Sequence, residues 1–276
     1  SVNIINGKRE NKMSIINNKL LIASQKQDIT SDEIRDEINK FSTMIERMTL
    51  GVINDSWHLV LMGDPGQGKT QTVVDTIMKH KVNVAGIKGT TSAIGLYKFF
   101  YEHKDHDVIV IDDSDAIYDI PEATEMLKAA MDSKDVRKVS WAKQNTNLQA
   151  MGIPSEFTIN ARIILISNKD LEHTSGRISR AQRLMKPVMD RAPKFKTGLP
   201  NREWEIEYFE MMHEQNNIVC FKERGLNADA QKEVMSFIIE NNEKFSTLSF
   251  RLIDKICAFY NDDKKMWKEL ALMTLV

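Results

Sequence analysis

The sequence predicts an α/β fold in which a parallel sheet is sandwiched by helices and followed by a small all-α unit. Three observations carry this. Apolar runs alternate with helical periodicities from about residue 57 to residue 197. Two of those runs, "VIVI" at 108–111 and "IILI" at 163–166, are apolar without a break, the pattern of strands buried on both faces. Past Pro200 the strand signals fade and helix-like segments take over. Strands and helices that alternate in this way close a parallel sheet between helical layers.

In chain order, residues 1 to about 30 are polar and Asn-rich, with one apolar patch at Leu20, Leu21 and Ile22, and are expected to form a loosely ordered arm. The chain starts at Ser1, and Met13 is an alternative start. "TSDEIRDEINKFSTMIERM" is expected to be a helix. Thr30 or Ser31 can cap it, acids fill its first turn, and Ile34, Ile38, Phe41 and Ile45 recur at helical spacing. "WHLVLM" is a strand, "KTQTVVDTIMKH" a helix, "VNVAGI" a second strand and "SAIGLYKFFYEH" a second helix. "DVIVID" is a third strand, "ATEMLKAAMDS" a helix, "RKVSWA" a short strand or hairpin arm, and "ARIILISN" another buried strand. "REWEIEYFEMMHEQ", "NADAQKEVMSFIIENNE" and "SFRLIDKICAFYNDD" complete the helical part. "RAPKFKTGLPN", with two prolines and a glycine, is the natural boundary. The expected organisation is an arm at 1–30, a nucleotide-binding α/β domain at 31–197 and a helical lid at 198–276.

The 276 residues are 42% hydrophobic and 28% charged with a net charge of −1, as in a soluble globular protein of one large or two smaller domains. A balance so close to neutral gives no global signal for nucleic acid or membrane, so any such binding must rest on a local patch. No apolar run approaches the roughly 20 residues that span a bilayer, and no signal-peptide layout is present. A cytosolic location is expected, the host cytoplasm if the chain is phage-encoded. Cys220 and Cys257 lack metal-ligand spacing and are expected to be buried reduced thiols. His103 and His106 flank a charged turn and are expected to be solvated.

The stretch "HLVLMGDPGQGKTQTVVD" carries the chemistry. Three glycines in six residues weaken packing and raise the entropy lost on folding, so the loop needs a reason. It fits G-x-x-x-x-G-K-[ST] as Gly63, Asp64, Pro65, Gly66, Gln67, Gly68, Lys69 and Thr70, with Gln71 following, and it sits between a strand and a helix, where a phosphate loop must sit. Backbone N–H groups and the positive end of the helix would face phosphate oxygens. Lys69 would reach the β- and γ-phosphates of ATP, and the Thr70 hydroxyl would ligate Mg²⁺. "DVIVIDDSD" supplies the second half: Asp112 is placed for Mg²⁺, and Asp113 to orient or deprotonate the attacking water.

From about Trp57 to Tyr260 the chain resembles the AAA+ ATPases: a phosphate loop, "VIVIDD", a strand ending "ILISN", a "DR" pair and a helical region carrying "LSFR". The resemblance implies ATP and Mg²⁺ as ligands and hydrolysis at interfaces between copies of the chain, in a hexameric or partial ring. Asn168 would be the polar sensor at the γ-phosphate, Arg191 the arginine acting on a neighbour's nucleotide, and Arg251 the lid arginine. Arg177, Arg180 and Arg183 are rivals to Arg191, and their spacing of three lines them on one helix face. The family usually carries Asp-Glu where this chain has Asp112-Asp113; aspartate is shorter by one methylene, about 1.5 Å. Either the site compensates, turnover is slow, or Asp115 contributes.

The pattern "HDVIVIDD", preceded by the Gly/Thr/Ser-rich turn in "GIKGTTSAIGLYKFF", resembles branch-migration motors, clamp loaders and small bacteriophage ATPases. This favours a nucleic acid or nucleoprotein substrate and no membrane partner, with Lys88 or Tyr97 as candidate contacts, although core packing explains Tyr97 equally well. A nucleotide switch with little hydrolysis and a protein-remodelling chaperone are the alternatives; no aromatic pore-loop pattern is evident between Gly86 and Tyr97. "SNKDL" at 167–171 misses the guanine-reading pattern, because Leu171 stands where an acid is required.

Overall fold

The computed structural model describes residues 29–63, 65–66, 68–143, 145–172 and 176–276. The expected arm before residue 30 therefore lies almost wholly outside the described residues. Two compact units emerge, dividing between Thr197 and Gly198. One comprises 42–64 and 68–197; the other comprises 198–276 with 29–41 and the loop tip at 65–66.

The first unit is built on a five-stranded sheet of β1 (Leu59–Met62), β2 (Val84–Lys88), β3 (Val108–Asp112), β6 (Arg162–Ser167) and β7 (Lys194–Lys196), in the order β2-β3-β6-β1-β7 with all neighbours parallel. The uninterrupted apolar runs occupy its middle. Every residue of β1 and β3 is buried, as is β6 after Arg162. Flanking helices are α2 (Lys69–Lys79), α3 (Ala93–Glu102), α4 (Pro121–Ala130) and α6 (Arg180–Met189). A β-strand run with no polar alternation must be covered on both faces, and Leu96, Phe100, Leu127, Met185 and Val188 help to do so.

Before β6 the chain forms a hairpin, β4 (Lys138–Ser140) antiparallel to β5 (Glu156–Thr158), with α5 (Thr146–Ala150) in its connection. Its base packs on α3 through Tyr97, whose ring centre lies 5.1 Å from Phe157 and 5.8 Å from Trp141. The Tyr97 hydroxyl donates to Pro154 O at 2.8 Å, and burial pushes the phenol up to about 12. Tyr97 is thus a core residue and no substrate contact. His103 corrects a second expectation: it is half-buried, its ring 4.5 Å from Phe99 and 4.7 Å from His106. Burial, first of all, lowers its pKa.

At the end of the sheet where β1 and β6 begin, His58 is sealed in. Ile163 N–H donates to its Nδ1 at 3.0 Å, and its Nε2 lies 3.2 Å from Arg137 and 3.3 Å from Arg162. Arg137 is buried, and its guanidinium donates to the carbonyls of Ala130, Asn160 and Ala161 at 2.9, 2.5 and 2.8 Å. Desolvation, then Arg137 and Arg162, lower the His58 pKa to about 2, and desolvation takes Arg137 down to about 10.

The second unit is helical: α7 (Arg202–Glu214), α8 (Val219–Glu223), α9 (Ala228–Glu240), α10 (Phe250–Asp262) and α11 (Trp267–Thr274). Trp267 anchors its core, with ring centres 4.8 Å from Phe237 and 5.2 Å from Tyr260. Helix α1 (Ser31–Ile53) contributes Ile34 and Ile38 to this core, and Arg35 grips Glu207 and Glu214 of α7 at 2.8 and 2.7 Å. Cys220 and Cys257 are buried and free, and their mutual hydrogen bond, with burial, raises the Cys257 thiol.

Candidate nucleotide-binding site

The site lies where the strands end. β1 stops at Met62, and Gly63 turns the chain with φ +143°. A Cβ there would stand 2.1 Å from Thr197 Oγ1 and 2.2 Å from Thr197 O, so only glycine lets the loop pass Thr197. Thr197 is fixed in turn by its N–H and hydroxyl, which both donate to Met62 O at 2.6 and 3.1 Å. Gly68 begins α2 with φ +75° and no side-chain cap, leaving the first-turn N–H groups uncapped by any side chain. Gly66, φ +83°, belongs with the helical unit: a Cβ on it would lie 2.6 Å from Ser249 Cβ, and Ser249 caps α10.

From this frame the predicted side chains converge. Lys69, only 4% exposed, donates from Nζ to Gly63 O at 2.7 Å and to Asn168 Oδ1 at 3.2 Å. Asn168 follows β6, and its Nδ2 donates to Asp113 Oδ1 at 2.7 Å. The amide therefore accepts from the lysine and donates to the acid, using both faces of its chemistry. The Thr70 hydroxyl reaches both oxygens of Asp112 at 3.2 Å. Asp112 closes β3, and Asp113 leaves it with φ +51°, a left-handed backbone that aspartate tolerates better than most residues.

The chemistry of these donors fits a magnesium–triphosphate. Mg²⁺ uses one or two protein oxygen ligands and completes its shell with phosphate and water. Thr70 and Asp112 offer such oxygens, and among the described residues no cluster of three or more His, Cys, Asp or Glu is placed to hold a metal by itself. A buried ammonium beside an uncapped helix start offers the positive charge that phosphate requires.

Not every predicted residue joins. Asp64 and Gln67 lie outside the described residues. Gln71 is exposed and donates to Asp75 at 2.8 Å, along its own helix. Pro65 groups with the helical unit. Arg191, half-buried, donates from NH1 to Pro187 O at 2.5 Å, while its buried Nε has no partner. Arg251 is exposed in the first turn of α10.

Other residues were missed. Lys88, a suggested substrate contact, directs Nζ at Asp112 (3.4 Å) and Asp113 (3.8 Å). The only signal was topological: parallel pairing of β2 with β3 sets Lys88 beside Asp112. A second ring holds the strand ends: the Ser167 hydroxyl donates to Asp115 at 2.7 Å, Ser114 to Gly89 O at 2.6 Å, and Lys169 pairs with Asp119 at 3.2 Å. Asp115 thus faces Ser167.

No family model matches the chain. It is similar to an uncharacterised 36.7 kDa protein encoded in the nrdC–mobD intergenic region of Enterobacteria phage T4, with 26% identity over 250 residues that cover 87% of this chain and 75% of the relative. Among solved structures, a crystal structure of a DNA replication initiation factor aligns with 85% of this chain at 16% identity and a TM-score of 0.44. This chain spans 63% of the length of that one.

Proposed function

We propose that the chain is a Mg²⁺-dependent ATPase of AAA+ type that acts on nucleic acid or a nucleoprotein assembly. The observation that carries the reading is the relay Lys69–Asn168–Asp113 beside the Thr70–Asp112 pair. When bound, the magnesium–triphosphate supplies an electrophilic phosphorus and a leaving group whose charge the metal offsets. Lys69, itself buried, would neutralise phosphate oxygens. Thr70 and Asp112 would hold the metal, and Asp113 would accept the proton of a water that Asn168 helps to position. Lys88 faces both carboxylates and offsets their charge.

The remaining assignments belong to this reading. Asp64, Pro65, Gly66, Gln67, Gly68 and Gln71 complete the phosphate-binding segment, with residues 31–197 as nucleotide domain and 198–276 as lid. Arg251 acts from the lid, and Arg191 acts on the nucleotide of a neighbouring copy after release from Pro187 O. Adenine is favoured over guanine because Leu171 replaces the acid that guanine reading needs.

Single-turnover hydrolysis of labelled ATP tests the core. Asp113→Asn keeps the left-handed preference and the contact to Asn168, so it is expected to bind nucleotide normally and to lose roughly 100-fold in rate. Wild-type turnover in that variant, with Asp112→Asn dead, removes Asp113 from its role. The second reading, a nucleotide switch with little hydrolysis, is favoured by the hold of Asn168 and Lys88 on the short Asp113 carboxylate. It predicts tight ATP binding and negligible phosphate release by the unaltered chain.

A further inference from the structure

We propose that the outer face of α6 binds the phosphodiester backbone of nucleic acid. The proposal deepens the functional reading by assigning the surface that meets the substrate. Ala181, Met185, Val188 and Met189 are buried in the core of the first unit, which turns Arg180, Arg183 and Lys186 outward. Steps of three residues advance about 4.5 Å along a helix and drift by about one-sixth of a turn, so the three cations form a short oblique ladder. Arg177, also exposed, extends it beyond the N-cap.

These charges are distinguished from the rest of the basic segment by what they lack. Lys194 is held by Glu172 at 2.9 Å and Lys196 by Asp170 at 2.5 Å, which uses up the acids of the preceding loop. Arg191 is folded onto Pro187 O. Among the described residues no ion pair is formed by Arg177, Arg180, Arg183 or Lys186. Glu122 feels the charge of Arg180, but its hydrogen bond goes to Lys143. Asp190, at the far end, is exposed and closes no ion pair with Lys186.

The ladder is also held rigidly. Ser179 and Gln182 form a reciprocal capping box, and Gln182 Nε2 donates further to Asp170 O at 3.1 Å and Glu172 O at 2.9 Å. A fixed row of unpaired cations at a helix start suits an array of phosphates spaced about 3.4 Å apart along each strand. Planar guanidinium groups add directional bonds to phosphate oxygens.

The test is fluorescence anisotropy with labelled single-stranded and duplex oligonucleotides, using the full chain without nucleotide between about 50 and 200 mM salt. The triple variant Arg180→Gln, Arg183→Gln, Lys186→Gln is expected to bind at least about 10-fold more weakly and to lower the log–log salt slope by about 2 to 3. Exchange of the same cations by Arg180→Lys and Arg183→Lys should keep most of both. The paired cations provide the contrast: Lys194→Gln with Lys196→Gln should change neither. Undiminished affinity and slope in the triple variant overturn the proposal, as does a wild-type chain that binds neither oligonucleotide. So does a triple variant that retains nucleic acid but loses self-association by light scattering, because the face would then serve a neighbouring copy. Binding of a fluorescent ATP analogue is read separately. Nucleic acid bound without any ATP affinity breaks the ATPase reading and leaves this surface standing, whereas ATP bound without nucleic acid does the reverse.

Discussion

The two ends of the parallel sheet carry opposite kinds of polar chemistry. Where β1, β3 and β6 end, Lys69, Thr70, Asp112, Asp113 and Asn168 pair through side chains, each able to exchange its partner for an incoming oxygen or cation. Where β1 and β6 begin, Arg137 and His58 are locked mainly to backbone groups that cannot move without unfolding the strands. A buried polar group becomes functional when its partners are replaceable and structural when they are not. The difference lies in the partner, since both ends hold a buried cation.

The sharpest way to break this contrast is to delete the cation at each end. Arg137→Ala leaves the carbonyls of Ala130, Asn160 and Ala161 without their donor, and at about 1 kcal/mol or more for each the expected loss is about 3 kcal/mol. Urea unfolding measures it. Lys69→Ala should cost little stability and instead lower kcat/KM for ATP by roughly 100-fold or more. If Lys69→Ala is the unstable variant and Arg137→Ala the inactive one, the two ends have been assigned the wrong way round.

Acid provides a second, smaller probe. The unfolded His58 ring titrates near its ordinary 6.5, and the folded ring at about 2. Between those values the unfolded chain binds more protons, so the contribution is full above pH 6.5 and is lost as the pH falls. From pH 6.5 to 5 the expected loss is about 2 kcal/mol. Denaturation of His58→Gln should lack this added slope, whatever its stability at pH 7. An unchanged slope would place the acid sensitivity elsewhere.

The same contrast explains what could be read from the sequence. The candidate site was legible because its residues come in contiguous motifs, and "VIVI" and "IILI" announced strands buried on both faces. Pairing across the chain was not legible. Lys88 reaches Asp112 only because β2 and β3 run parallel in one register, and His58 meets Arg137 and Arg162 across 79 and 104 positions. Short elements were missed for a related reason. β5 and β7 have three residues each, too few for a period, and β7 reads as the charged triplet Lys-Phe-Lys while only Phe195 is buried. Tyr97 was ambiguous because an aromatic ring looks the same in a loop or a core until Trp141 and Phe157 close on it.

The gentlest perturbation lengthens the Asp113 side chain by one methylene. Asp113 reaches Asn168 at 2.7 Å from a backbone with φ +51°, so the turn brings a short carboxylate to the place it must occupy. Asp113→Glu therefore adds a methylene to an arm already in register and puts a residue poorly suited to left-handed backbone at that position. The expected cost is about 1 kcal/mol of stability, with no gain in hydrolysis. Thermal unfolding and steady-state ATP turnover measure both. A faster Asp113→Glu enzyme would mean that the left-handed turn fails to offset the missing methylene and that the natural aspartate holds turnover down, which is the behaviour of a switch.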